Sequence, residues 1–63
     1  MNEYIITFGN NSKFKDCYYS IFAKQEIEAR MEAFNIFGNK WAFIYDNKDK
    51  AGVSKFNLRC LNE

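Results

Sequence analysis

The chain has 63 residues with nine basic and eight acidic side chains, which is the size of one small domain. Its net charge of +1 argues against a strongly basic nucleic-acid binder and against an acidic mimic of DNA. No apolar run approaches the roughly 18 residues of a membrane-spanning helix.

The first part of the chain predicts a β-hairpin. Residues 3–9 are rich in β-branched and aromatic side chains, as strands are. Residues 9–13 form a Gly, Asn and Ser turn cluster, and residues 14–23 predict a second strand. Side chains at the odd positions 17–23 are expected on one face of that strand, and those of Tyr18, Ser20 and Phe22 on the other.

The period changes to that of a helix over residues 24–37. We expect the face packed on the sheet to carry the large side chains at helical spacing, which are Ile27, Arg30, Met31, Phe34 and Phe37. Gly38 and Asn39 supply a C-terminal stop. Ile36 lies beyond this face, so it is expected to touch another molecule.

Residues 41–45 form a continuous apolar run, which is typical of a strand covered on both faces. Residues 46–50 predict a loop or a short helical turn, and residues 55–61 a last strand. The sequence therefore predicts one α+β domain over residues 1–63. Its small antiparallel or mixed sheet carries one helix packed on one face, in the order ββαββ.

The residue types needed for catalysis are scarce. The chain has no histidine, which removes the commonest general base and metal ligand. Its three glycines are isolated, so no phosphate-binding loop is predicted. Lys48 and Lys50 stand where a calcium loop needs oxygen ligands. We predict no enzymatic activity, no cofactor, no metal and no small-molecule substrate.

Two cysteines are too few for a disulfide-rich scaffold. Cys17 and Cys60 are expected to be reduced thiols that fill small gaps. The alternative is a Cys17–Cys60 bridge between strands. Residues 1–4 contain no basic segment followed by a long apolar run, which favours a cytoplasmic protein.

Seven Phe, four Tyr and one Trp supply more ring surface than one helix can cover, so a protein-binding surface is predicted on the sheet. Trp41, Phe43 and Tyr45 are expected to share one face of the third strand. The candidate partner-binding residues are Trp41, Phe43, Tyr45, Ile36 and Tyr18, for a protein partner or a second copy of the chain. The competing expectation is that loops and the C-terminal segment cover this face as core.

A second hypothesis is a single-stranded nucleic-acid module. The sheet aromatics would stack bases and loop lysines would track phosphates, namely Lys13, Lys15, Lys40, Lys48 and Lys50. The aromatic signature of RNA-recognition motifs is absent from the sequence, which counts against this hypothesis.

Residues 37–45 read Phe-Gly-Asn-Lys-Trp-Ala-Phe-Ile-Tyr. With Tyr18, residues 21–23 and residues 28–30, this run resembles small proteins of phages and prophages of low-GC Gram-positive bacteria. The resemblance implies an inhibitor or accessory factor that acts by binding in the cytoplasm of the bacterial host cell, for example an inhibitor of host defence such as an anti-CRISPR protein. The implied partner is a bacterial host protein, such as a CRISPR effector or its nucleic-acid complex. No functional residue is carried over.

Overall fold

Four strands and two helices make up the computed structural model, which describes residues 1–62. In chain order they are β1 (Asn2–Thr7), β2 (Cys17–Ala23), α1 (Glu26–Phe37), β3 (Phe43–Tyr45), α2 (Lys48–Ala51) and β4 (Arg59–Cys60). The strands form one mixed sheet in the order β3-β1-β2-β4. β1 is antiparallel to both β2 and β3, and β4 is parallel to β2. The α+β prediction is confirmed.

The predicted order ββαββ is wrong, because α2 stands between the last two strands. The residues at its two ends determine where this four-residue helix begins and stops. The Asn47 side chain accepts a hydrogen bond from the Lys50 backbone N–H at 2.7 Å, as an N-cap does. Gly52 ends the helix in the left-handed region at φ 76°, which glycine adopts without a Cβ clash.

The first core lies between α1 and one face of the sheet. Its buried residues from the sheet are Tyr4 and Ile6 of β1, Ile21 and Ala23 of β2, and Phe8, which directly follows β1. Ala29 and Ala33 are the fully buried residues of α1, and they lie four residues apart on one side of the helix. Small side chains at these two positions let the helix backbone approach the bulky strand residues closely.

The prediction that the large apolar side chains of α1 face the sheet is wrong for most of them. Ile27, Met31 and Phe34 are exposed, and Arg30 is on the surface beside Glu26. Phe37, at the end of the helix, does pack on the core. The helix is therefore rotated so that its alanines face inward and its larger side chains face solvent.

The second face of the sheet is covered by α2 and the chain that follows it. Ile5, Tyr18 and Ala51 form this second core, with Tyr45, Val53, Leu58 and Cys60 packed around them. Backbone hydrogen bonds from Val53 to Lys48 (3.2 Å) and from Leu58 to Val53 (2.9 Å) hold the covering segment together. This matches the competing expectation, that the C-terminal segment makes this face core, for the middle of the face, whereas Phe43 on the same face stays exposed.

The last strand is shorter than the predicted residues 55–61, because only Arg59–Cys60 pairs with β2. Asn62 extends the pairing with its side chain. Its carboxamide accepts from the Ser20 backbone N–H at 3.1 Å and donates to the Ser20 carbonyl at 2.7 Å. One amide side chain thus takes the place of a further strand residue.

Both cysteines are free thiols. Cys17 is aligned with Arg59 and Tyr18 with Cys60, so the two cysteine side chains point to opposite faces of the sheet. The hypothesis of a bridge is therefore wrong. α1, the longer helix, has 12 residues, and within residues 1–62 no helix has the length and apolar character needed to cross a membrane.

Candidate functional site

Three exposed apolar side chains form a row on the outward face of α1. Ile27 is 58% exposed, Met31 63% and Phe34 54%. Their spacing of four and three residues aligns them along the helix, on the side away from Ala29 and Ala33. We call these three residues the α1 ridge.

Phe22 lies beside the ridge, on the second face of the sheet near the outer edge of β2. It is 62% exposed and lines, together with Met31, a shallow depression of about 310 Å³. Glu28 and Glu32 line the same depression. This flank of the ridge therefore combines apolar side chains with two carboxylates.

The opposite flank of the ridge is held in place by Trp41. Its ring packs edge-on against Phe34 at a centroid distance of 5.3 Å, and the Arg30 guanidinium lies 5.9 Å from its centroid. Arg30 also pairs with Glu26 at 3.4 Å. Phe34 is thus fixed by a neighbouring ring although it is more than half exposed.

The outer edge of β2 is open beside Phe22. β4 pairs only with Cys17 and Tyr18, and the Asn62 carboxamide takes the next outward-facing backbone groups, those of Ser20. Backbone groups alternate in direction along a strand, so those of Phe22 also point outward. In the part of the chain that the structure describes, no strand lies beside them.

The five predicted partner-binding residues do not form one surface. Trp41 is half-buried against the first core, whereas Tyr18 is buried in the second core and Tyr45 packs beside it. Phe43 and Ile36 are exposed. Phe43 and Tyr45 share the second face, since they are aligned with Thr7 and Ile5, but Trp41 precedes β3 and packs on the first face.

The five predicted phosphate-binding lysines are divided among different places. Lys13 and Lys40 line one groove with Phe14, Phe37 and Trp41. Lys15 lines another depression, near Phe56. Lys48 and Lys50 belong to α2, where Lys50 pairs with Asp46 at 3.1 Å. Lys13 and Lys40 thus share one groove with aromatic rings, whereas the Lys48 ammonium lies 5.9 Å from the centroid of the Tyr18 ring, on the second face of the sheet.

The α1 ridge was missed as a surface because its large apolar residues were assigned to the core. The signal that points to the observed arrangement is the pair Ala29 and Ala33 at helical spacing. Two small residues on one helix side permit close contact with a sheet whose own side chains are large.

The chain matches no protein-family model, and comparison with curated proteins and with solved structures finds no significant match for it.

Proposed function

We propose that this chain is a non-catalytic binding protein that docks another protein on the α1 ridge and Phe22. The observation that carries the proposal is the outward direction of Ile27, Met31 and Phe34 on a helix whose inward side is alanine. A single exposed apolar residue is ordinary, but a contiguous apolar row typically marks an interaction site.

The size of this surface suits the centre of an interface. Each of its four side chains can bury on the order of 100 Å² more, which is comparable to the roughly 300–600 Å² of a typical monomer's largest patch. A specific interface buries about 800 Å² per partner. The polar border with Glu28 and Glu32 and the open edge of β2 would supply the remainder.

The flanks indicate the chemistry of the partner. An apolar groove or a second amphipathic helix would cover Ile27, Met31 and Phe34. Basic side chains at its border would complement Glu28 and Glu32. The resemblance to phage proteins suggests which protein the partner is. We propose a bacterial host protein that is inhibited when this chain docks on it, as an anti-CRISPR protein inhibits its target.

The test compares two variants that each introduce a lysine at an equally exposed apolar position. Met31 and Phe56 are both 63% exposed, but Phe56 lies on the side of the molecule covered by the C-terminal segment. Tagged parent, Met31→Lys and Phe56→Lys proteins are used to capture partners from bacterial lysate, with quantitative mass spectrometry. We expect a protein that is retained by the parent and by Phe56→Lys and is lost at least about tenfold with Met31→Lys.

Circular dichroism of each variant checks that it is folded. Equal retention of every captured protein by Met31→Lys and the parent would contradict the proposal. Light scattering at several concentrations identifies a second copy of the chain as the partner, in which case Met31→Lys lowers the apparent mass and Phe56→Lys does not.

A further inference from the structure

We propose that a groove on a different part of the surface binds a nucleotide, by stacking its base on aromatic rings and pairing its phosphate with two lysines. The groove lies between the loop that follows β1 and the segment that joins α1 to β3. We call it the loop groove. This inference does not depend on the α1 ridge, because neither Ile27 nor Met31 lines the groove.

Three half-buried rings, those of Phe14, Phe37 and Trp41, form the apolar part of the groove. Phe37 packs edge-on against Phe8 at 5.0 Å and against Tyr19 at 5.1 Å. Phe14 lies 5.4 Å from Phe8. The rings are therefore fixed by the core behind them, which makes them a preorganised surface on which a base can stack.

The charged residues among those described as lining the groove are all lysines. Lys13 and Lys40 line it, and none of the lining residues is Asp or Glu, although the chain as a whole is close to neutral. The Lys13 ammonium lies 5.1 Å from the centroid of the Phe14 ring. The cation lies over the Phe14 ring, so positive charge and aromatic rings line the same groove, as a phosphate and a base require.

The polar side chains of the loop groove and its volume also suit a nucleotide. The carboxamides of Asn10, Asn11 and Asn39 also line the groove, and amides can both donate to and accept from the edge of a base. The groove has a volume of about 730 Å³, within the roughly 300–1,000 Å³ typical of small-ligand sites. A nucleotide fits these features whether it is free or is one unit of a single strand.

Trp41 makes the test direct, because it is the only tryptophan in the chain and it lines the groove. Its fluorescence, excited at the red edge where nucleotides absorb little, is followed during titration with thymidine monophosphate and separately with an oligothymidylate. We expect saturable quenching. Quenching by both ligands supports a site open to free nucleotides, and quenching by the oligomer alone supports a site for a nucleotide within a strand.

Two double variants carry the same loss of charge. Lys13→Gln with Lys40→Gln should weaken binding at least about fivefold and reduce the salt slope for the oligomer by about 1.4, the value for two lost phosphate contacts. Lys48→Gln with Lys50→Gln, which changes α2, should alter binding less than about twofold. Absence of saturable quenching in the low millimolar range, or equal weakening in both double variants, would overturn the proposal.

Discussion

Ring contacts hold the Trp41 side chain in position, and its indole nitrogen makes no hydrogen bond to the described residues. Its indole Nε1 is buried and has no hydrogen-bond partner among the described residues. A buried donor without a partner costs about 1–3 kcal/mol. The ring itself is useful, since it contacts Phe34 at 5.3 Å and lies beneath the Arg30 guanidinium. The two effects act in opposite directions on the free energy of unfolding.

Replacing Trp41 by Phe should therefore leave stability nearly unchanged. The smaller ring buries less apolar area, which costs about 1 kcal/mol, and the removal of the unpaired donor offsets this loss. Trp41→Ala, which removes the ring contacts as well, should cost about 2 kcal/mol or more. Urea denaturation followed by circular dichroism measures both. A Trp41→Phe loss as large as that of Trp41→Ala would show that the indole nitrogen contributes favourably.

Gly52 and Gly9 differ in what an added methyl group would meet. Gly52 has φ 76°, and a Cβ there would lie 2.6 Å from Cδ2 of Phe56. Gly52→Ala should destabilise the protein by about 1–2 kcal/mol, from the left-handed backbone alone, and displace the Phe56 ring. Gly9→Ala is the control, because its Cβ would meet only the Ala42 Cβ at 4.0 Å; thermal unfolding should place it within about 0.5 kcal/mol of the parent. Equal effects would contradict this assignment.

The orientation of α1 can be tested by exchanging the sizes of its inward and outward side chains. Ala33 is fully buried and Met31 is exposed. Ala33→Met should cost about 1–3 kcal/mol, because Ala33 is fully buried in the core that contains Ile21 and Tyr4, and a longer side chain has to displace its neighbours. Met31→Ala should change the free energy of unfolding by less than about 0.5 kcal/mol. The reverse pattern in urea denaturation is what an inward-facing Met31 would give.

The elements that depend on local sequence could be predicted, and the rest could not. The strands β1 and β2 and the helix α1 follow from side-chain alternation and helical spacing, because each extends over at least six residues. The start of β2 is at Cys17 and not at residue 14, since the Ser12 hydroxyl accepts from the Phe14 backbone at 3.0 Å and keeps this stretch in a turn.

The candidate surface was harder to predict than the fold, because it depends on how much space the sheet leaves for the side chains of α1. Periodicity identifies the apolar residues of a helix but does not say which of them the opposing sheet has room for. Tyr4, Ile6 and Phe8 fill the space beneath α1, so only Ala29 and Ala33 fit there. The existence of a last strand was predicted, over residues 55–61, but not its shortness, because only Arg59–Cys60 pairs with β2 and the Asn62 side chain takes the next backbone groups, those of Ser20.

The whole molecule is one sheet with a covering segment on each face, and the two segments differ in their content of helix and strand. α1 covers the first face with a 12-residue helix. The second face is covered by the four residues of α2, a series of turns and the two residues of β4. Because the second cover contains only four helical and two strand residues, fewer regular backbone hydrogen bonds hold it in place than hold α1. Local opening should therefore begin there.

Hydrogen exchange measured by mass spectrometry should show this difference. We expect backbone amides of residues 52–61 to exchange faster than those of β1, β2 and α1 at the same pH and temperature. Asn62→Ala removes both hydrogen bonds to Ser20 and should accelerate exchange in residues 52–61 by about fivefold, the effect of about 1 kcal/mol. It should leave α1 unchanged.

Asn35→Ala provides the matched control, because Asn35 is exposed on α1 and its replacement leaves the Ser20 contacts intact. Uniform acceleration throughout the chain in Asn62→Ala would show that the second cover opens only when the entire domain unfolds. Acceleration confined to residues 52–61 would show that the two covers open independently. In that case the second core, with Tyr18 and Ile5, becomes accessible while the α1 ridge and the loop groove keep their shape, since both are built on the first core.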